Sequence, residues 1–90
     1  MNLGIGYYSE QQYSLLLRYA DDRKALHDTW EEWLLQFGKT YSYLKASGID
    51  VEKIDVDINH LLRYCHKQGL KNTGETRSKY IQAKVSGEIP

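Results

Sequence analysis

Apolar residues in the first half of the chain recur with the period of an α-helix. Their steps of 4, 3, 4, 4 and 3 residues place them along one side of a helix. Thr29 and Glu32 have the spacing of a capping box, and Gly48 suits the left-handed position that follows a helix. The pattern predicts a helix over residues 30–47, and its aromatic content predicts that this helix forms the centre of the core. The stripe consists of Leu26, Trp30, Trp33, Phe37, Tyr41 and Leu44, with Leu34 beside it.

One longer helix from Asp22 to Ser47 is the competing interpretation of this region. The capping box favours a break before Trp30, because each of its two side chains satisfies a free amide at a helix start. The acidic pair Asp21 and Asp22 also suits the start of a new turn better than the end of a helix. We therefore expect the chain to bend near this pair.

Three further segments have the amphipathic pattern of shorter helices. Ser9 and Gln12 have the spacing of a second capping box, and Asp57 is a suitable N-cap. A turn cluster of Lys, Asn, Thr and Gly precedes the last segment. The four predicted helices cover residues 10–20, 30–47, 58–68 and 75–85. The residues expected to face the core from the shorter helices are Tyr13, Leu16, Leu17, Ala20, Ile58, Leu61, Leu62, Cys65, Tyr80, Ile81 and Val85.

Two short segments are rich in β-forming residues. The first contains Ile5 and Tyr7, although two glycines weaken it as a strand. In the second, apolar and charged residues alternate, with one slip after Val51. We predict strands over residues 3–8 and 52–56 that pair in a small two-stranded sheet, with the direction of pairing left open.

The composition is that of an ordinary globular domain. Of the 90 residues, 41% are hydrophobic and 27% are charged, which argues against a disordered chain. No apolar run approaches the roughly 18 residues that a membrane helix needs, and the first residues lack the features of a secretory signal. We therefore expect a mostly helical α+β fold in a single domain over residues 1–90, located in the cytoplasm, with a frayed tail at 86–90. The lone cysteine, Cys65, fits a reducing compartment.

The charges balance overall but are distributed unevenly. Twelve basic residues match twelve acidic ones, so no global field indicates a nucleic-acid or membrane partner. Residues 1–56 carry six Lys or Arg against nine Asp or Glu, whereas residues 57–90 carry six against three. The second part is therefore the one expected to meet a polyanion, if either does.

A calcium loop is imitated by Asp55, Asp57 and Asn59. The sixth position of such a loop needs glycine for a sharp turn, and the twelfth needs a bidentate glutamate. This chain has His60 and His66 at those positions. We therefore interpret the segment as a strand end followed by a helix cap, without a calcium site.

A nucleotide fingerprint begins at Gly4 and Gly6, but Ser9 stands where the third glycine belongs. Without that glycine and a full preceding strand, the backbone cannot form the phosphate cradle. We therefore predict no cofactor-binding residues.

His60, Cys65 and His66 are residue types that bind zinc, but their spacing does not suit a shared site. Two ligands on one helix share a face only when they lie three or four residues apart. Cys65 lies on an apolar stripe and is better interpreted as a small buried side chain. No positioned nucleophile, base or carboxylate pair is visible either, so we predict no metal or catalytic residues and a non-enzymatic protein.

The chain has eight tyrosines, more than the apolar stripes of its helices account for. The remaining tyrosines are expected to lie partly exposed, and exposed tyrosine is enriched at protein interfaces because it has a rigid apolar body and a polar tip. The composition thus favours a protein-interaction module with an aromatic surface, bound to a protein partner or to a second copy as a homodimer. The candidate partner-binding residues are Tyr8, Tyr19, Tyr43 and Tyr64.

Residues 58–85 contain, in order, a predicted helix, a Gly-Leu pair, a turn with glycine and a second predicted helix, marked by Leu61 and Leu62, Gly69 and Leu70, Gly74, and Tyr80 and Ile81. In this order the segment resembles the SAP module, a helix, extended loop and helix associated with DNA binding. The resemblance covers about a third of the chain. The resemblance implies that basic residues around the second helix face phosphates, which makes a nucleic-acid-binding accessory protein the alternative function. The residues it assigns to phosphate contact are Lys71, Arg77 and Lys79.

Overall fold

The computed structural model describes residues 2–90, and it has four helices and one two-stranded sheet. This confirms the predicted α+β fold. A 3-10 turn at Arg23–Ala25 separates the first two helices, so the interpretation of one long helix from Asp22 is wrong. In chain order the elements are β1 (Asn2–Tyr7), α1 (Glu10–Tyr19), α2 (Trp30–Ala46), β2 (Asp50–Asp55), α3 (Ile58–Gln68) and α4 (Gly74–Ser86).

The two strands are parallel. Asn2 pairs with Asp50 at one end of the ladder, and Tyr7 pairs with Asp55 at the other. The second strand therefore begins two residues before the predicted position and ends one residue earlier. The reason is that the ladder is made by backbone groups, which pair through the place where the side-chain alternation slips.

Helix α4 packs directly on one face of this sheet, at Gly4 and Gly6. A Cβ atom built at Gly4 would overlap Val85 Cγ2 and would lie 2.9 Å from Ile81 Cγ2. At Gly6 the nearest atom, Ile81 Cδ1, would lie at 3.1 Å. The two glycines that weaken β1 as an isolated strand thus allow close approach of α4.

Helix α2 packs on the opposite face of the sheet. Successive strand residues point to opposite faces, so Tyr7 points away from α4. Its ring contacts Phe37 of α2 with the ring centres 5.4 Å apart. The sheet therefore lies between α2 and α4.

The centre of the core lies on α1, α3 and α4, not on α2. No residue of α2 is buried, and Trp30 and Trp33 are only partly covered. The prediction that the Trp-rich helix forms the centre of the core is therefore wrong. The reason is that α2 is 17 residues long and one of its sides faces a sheet only two strands wide. The largest fully buried side chains are Tyr13, Leu16, Ile58, Leu61 and Tyr80.

A buried polar network holds the start of α4 against the turn after α1. The guanidinium of Arg77 donates to both carboxylate oxygens of Asp22, at 3.0 and 2.7 Å, and to Asn72 Oδ1 at 2.9 Å. The backbone N–H of Gly74 also donates to Asp22. Hydrogen bonding by Arg77 holds the pKa of the Asp22 carboxyl below its ordinary value. The network joins segments more than 50 residues apart in the chain.

Ile89 lies in the tail that was expected to fray, and its side chain packs against the edge of the core.

Each helix in residues 2–90 is too short or too polar to span a bilayer.

Candidate partner-binding surface

Tyr8, the first of the four tyrosines proposed for partner contact, is buried, with 7% of its surface exposed. The expectation of an exposed Tyr8 is therefore wrong. Its backbone carbonyl accepts a hydrogen bond from Trp30 Nε1 at 2.9 Å, and its ring contacts Tyr13 and Trp33. Burial raises the pKa of Tyr8 to about 12.

The other three tyrosines lie on three different helices. Tyr19 is 47% exposed and Tyr43 is 70% exposed. Tyr64 is half-buried, with its ring edge against Tyr80. Within residues 2–90 no ring contact joins any two of these three, so the structure does not bring them together as one aromatic surface.

Aromatic side chains do come together between α2 and the sheet. The indole of Trp33 stacks on Tyr13 with the ring centres 5.7 Å apart. Phe37 then follows Trp33 along the helix, and Tyr41 stacks on Phe37 at 5.8 Å. This row of rings runs from the fully buried Tyr13 to the partly exposed Tyr41. It packs the inner side of α2 against the rest of the fold.

The outer side of α2 exposes apolar surface. Leu35 is 65% exposed, and Leu34 beside it is half-buried. Gly38, one turn further along, has nothing within 4 Å of where a Cβ atom would stand. These residues form a shallow groove that no other described element fills. We call it the α2 outer face, and it is lined by Glu31, Leu34, Leu35, Gly38, Lys39 and Ser42.

Opposite charges flank Leu35 on this face. Glu31 lies one helical turn before Leu35, and Lys39 lies one turn after it, so the three share one side of the helix. Neither Glu31 nor Lys39 forms an ion pair within residues 2–90. Both charges are therefore free to meet a partner.

The local sequence explains why this helix forms without being buried. The Thr29 side chain accepts from the Glu32 backbone N–H at 3.1 Å, and Glu32 accepts from the Thr29 N–H at 3.2 Å. This confirms the predicted capping box. Gly48, with φ at 80°, ends the helix in the left-handed conformation.

The three basic residues proposed for phosphate contact have different surroundings. Lys71 is exposed. Lys79 is also exposed, and its Nζ lies 3.6 Å from a carboxylate oxygen of Glu75. Arg77 is 8% exposed, and both terminal nitrogens of its guanidinium donate hydrogen bonds to Asp22 or Asn72, so the expectation that it faces phosphates is wrong.

The residues that imitated nucleotide, calcium and zinc motifs in the sequence have structural roles. Gly4 and Gly6 face α4. Asp57 caps α3 by accepting from the His60 backbone N–H at 3.2 Å. Cys65 is buried, and burial raises the pKa of its thiol, which keeps it protonated. Across residues 2–90 no group of three or more His, Cys, Asp or Glu side chains is placed to hold a metal ion.

Comparison of the chain with protein-family models, with curated proteins and with solved structures found no match.

Proposed function

We propose that this chain is a non-enzymatic protein-interaction module that pairs with a second copy of itself through the α2 outer face. The observation that carries the proposal is the uncovered apolar surface of Leu34 and Leu35 on the longest helix. Removing apolar surface from water is favourable by roughly 25 cal/mol per Å². When two such faces pack together, their apolar surface is removed from water, which the single chain does not achieve.

The charges on the face favour a second copy in antiparallel orientation. In a two-fold pairing centred on Leu35, the two Leu35 side chains meet. Because Glu31 and Lys39 lie at equal distances on either side of Leu35, each copy's Glu31 then lies opposite the other copy's Lys39. The face is therefore complementary to itself, both in apolar surface and in charge.

The missing side chain at Gly38 supports the same arrangement. Glycine in the middle of a helix destabilises it by roughly 1 kcal/mol relative to alanine. No contact within the described residues requires glycine at this position. In the paired arrangement it allows the partner helix to approach closely.

A face only one helix wide supports a weak dimer. Stable interfaces bury roughly 800 Å² on each partner, more than a single short helix side supplies. We therefore expect a dissociation constant in roughly the micromolar to millimolar range. The pairing would respond to changes in protein concentration.

Sedimentation over a range of protein concentrations tests this proposal with reciprocal charge variants. Glu31→Lys and Lys39→Glu should each abolish self-association, because like charges then face each other in both halves of the interface. An equimolar mixture of the two variants should associate again, since every facing pair is once more opposite in charge. Thermal unfolding of each variant is the control for an intact fold.

Two results contradict the proposal. One is a wild-type chain that stays monomeric up to millimolar concentration. The other is association that Leu35→Glu leaves unchanged. Lys24→Glu serves as a matched control, because Lys24 is exposed in the turn before α2 and should not affect pairing.

The nucleic-acid alternative has less support. Of its three residues, Arg77 is buried and Lys79 lies beside Glu75, which leaves Lys71 alone. Phosphate binding weakens steeply as salt rises, whereas an apolar interface responds little. A gel-shift series with duplex DNA and RNA at low salt tests it, and no shift at micromolar protein would remove it.

A further inference from the structure

An open cavity of about 310 Å³ lies between one face of α3 and the last residues of the chain. His60, Arg63 and Lys67 line it, at spacings of three and four residues that place them on one side of the helix. Among the described residues, no aspartate or glutamate side chain lines it. The other lining residues are Tyr64, Gln68, Ile89 and Pro90.

The hydroxyl of Tyr80 fixes the hydrogen-bonding role of His60. Tyr80 is fully buried, and its Oη lies 2.6 Å from Nδ1 of His60. Burial raises the pKa of Tyr80 to about 12, so the hydroxyl keeps its proton. Within residues 2–90 Nδ1 of His60 is the one partner of that hydroxyl, so Nδ1 accepts. The proton of the neutral ring then lies on Nε2, on the side of the ring away from Tyr80.

Arg63 and Lys67 supply positive charge to the cavity. Both are exposed, and neither forms an ion pair within the part of the chain that the structure describes. The cavity therefore offers donors from several side chains and no carboxylate side chain to compete for them.

We propose that this cavity binds the phosphate group of a small phosphate ester. Arginine and lysine form strong charge-assisted hydrogen bonds to phosphate, and the Nε2–H of His60 is a further donor. Tyr64 and Ile89 provide an apolar wall for the carbon part of the ester. The volume is at the small end for ligand sites, which restricts the ligand to one phosphate with a small organic group. The proposal does not depend on pairing through α2, because no α2 residue lines this cavity.

An NMR titration with phenyl phosphate, inorganic phosphate and benzoate tests this site. Phenyl phosphate should shift the amide signals of Arg63, Tyr64 and Lys67 in a saturable way. Benzoate should bind about tenfold more weakly, because a carboxylate has less charge and fewer acceptor oxygens than a phosphate. Inorganic phosphate should shift the same signals with lower affinity than phenyl phosphate, since it cannot pack against Tyr64.

Variants of the lining residues distinguish binding in this cavity from non-specific attraction of phosphate to surface cations. Arg63→Gln and Lys67→Gln should each weaken phenyl phosphate binding about tenfold. Lys71→Gln removes an exposed cation that does not line the cavity, so affinity should not change. In Tyr80→Phe the ¹⁵N signals of the His60 ring should show a mixture of tautomers, whereas the wild type shows the proton on Nε2.

Three results would overturn the proposal: no saturable shift with phenyl phosphate, equal binding of benzoate, or unchanged binding by both Arg63→Gln and Lys67→Gln. A DNA duplex that shifts these signals while phenyl phosphate does not would assign the face to nucleic acid. That outcome would overturn the small-ligand proposal as well.

Discussion

Helices α2 and α4 pack on opposite faces of the same two-stranded sheet, and they are buried to very different depths. Helix α2 has both tryptophans and the only phenylalanine, yet none of its residues is buried. Helix α4 is shorter and more polar, and five of its thirteen residues are buried. An amphipathic stripe therefore indicates which side of a helix faces the protein, but not how deeply that side is buried.

The two faces of the sheet account for the difference. On the α4 side, Gly4 and Gly6 have no side chains, so the helix backbone approaches closely. On the α2 side, the ring of Tyr7 stands between strand and helix. Large rings hold α2 at a distance, and two strands are too narrow to cover a helix of this length.

Breaking the polar anchor of α4 should have the largest effect on stability. Arg77→Met leaves the Asp22 carboxylate partly buried without its partner, which we expect to cost about 3 to 5 kcal/mol in urea unfolding. Lys79→Met, on the same helix, removes an exposed pair with Glu75 and should cost less than about 1 kcal/mol. Equal effects of the two substitutions would show that the anchor does not hold α4.

Truncating one apolar side chain on each helix compares the two burial depths directly. Ile81→Ala on α4 removes a side chain that is 5% exposed and should destabilise the fold by about 2 to 5 kcal/mol. Leu35→Ala on α2 should change stability by less than about 0.5 kcal/mol in dilute protein. Urea midpoints of the two variants provide the check, and a large loss with Leu35→Ala would place α2 in the core.

Alkaline pH should destabilise the fold through two buried tyrosines. Tyr8 and Tyr80 have pKa values raised to about 12, so between pH 10 and 12 the unfolded chain loses protons that the folded chain keeps. The stability that these two tyrosines contribute should therefore be full below pH 10, and above it should fall by roughly 1.4 kcal/mol per pH unit for each tyrosine. Tyr80→Phe should reduce this slope, whereas Tyr43→Phe on α2 should not. Urea unfolding curves measured from pH 8 to about 11.5 provide the check. A pH slope that Tyr80→Phe leaves unchanged would contradict the prediction.

The same substitution at two glycines should have opposite signs. Gly4→Ala forces Val85 and Ile81 of α4 to move, and we expect a loss of about 1 to 3 kcal/mol. Gly38→Ala adds a methyl group in open space within a helix, and we expect a gain of about 0.5 to 1 kcal/mol in dilute protein. Thermal unfolding of both variants distinguishes the signs. A gain at Gly4 would mean that α4 does not depend on close approach.

Local signals in the sequence predicted the elements well. Thr29 and Glu32 gave the start of α2, and Asp57 gave the start of α3, because capping is decided within four residues. Cys65 was correctly placed in the core by helical spacing alone. Each of these features depends on neighbours along the chain, which a sequence displays directly.

Features that depend on distant partners were not predicted. Tyr8 was expected to be partly exposed, but its ring contacts Trp33 of α2, and its carbonyl accepts a hydrogen bond from Trp30, 22 residues later. Arg77 was assigned to phosphate, but its partner Asp22 lies 55 residues away. Leu35 was not recognised as exposed, although its position opposite the aromatic stripe of α2 was a visible signal. Depth of burial depends on what packs above each helix, and the periodicity of one helix does not contain that information.

Hydrogen exchange of the backbone amides at micromolar and at near-millimolar concentration tests most directly whether α4 is the structural centre and α2 a peripheral pairing helix. The amides of residues 77–84 in α4 should exchange slowest at both concentrations. Those of residues 34–42 in α2 should exchange faster in dilute protein and slow down as concentration rises. Two results would contradict the account. If the α2 amides exchange as slowly as those of α4 in dilute protein, α2 is not peripheral. If their exchange rate does not change with protein concentration, α2 does not pair with a second copy.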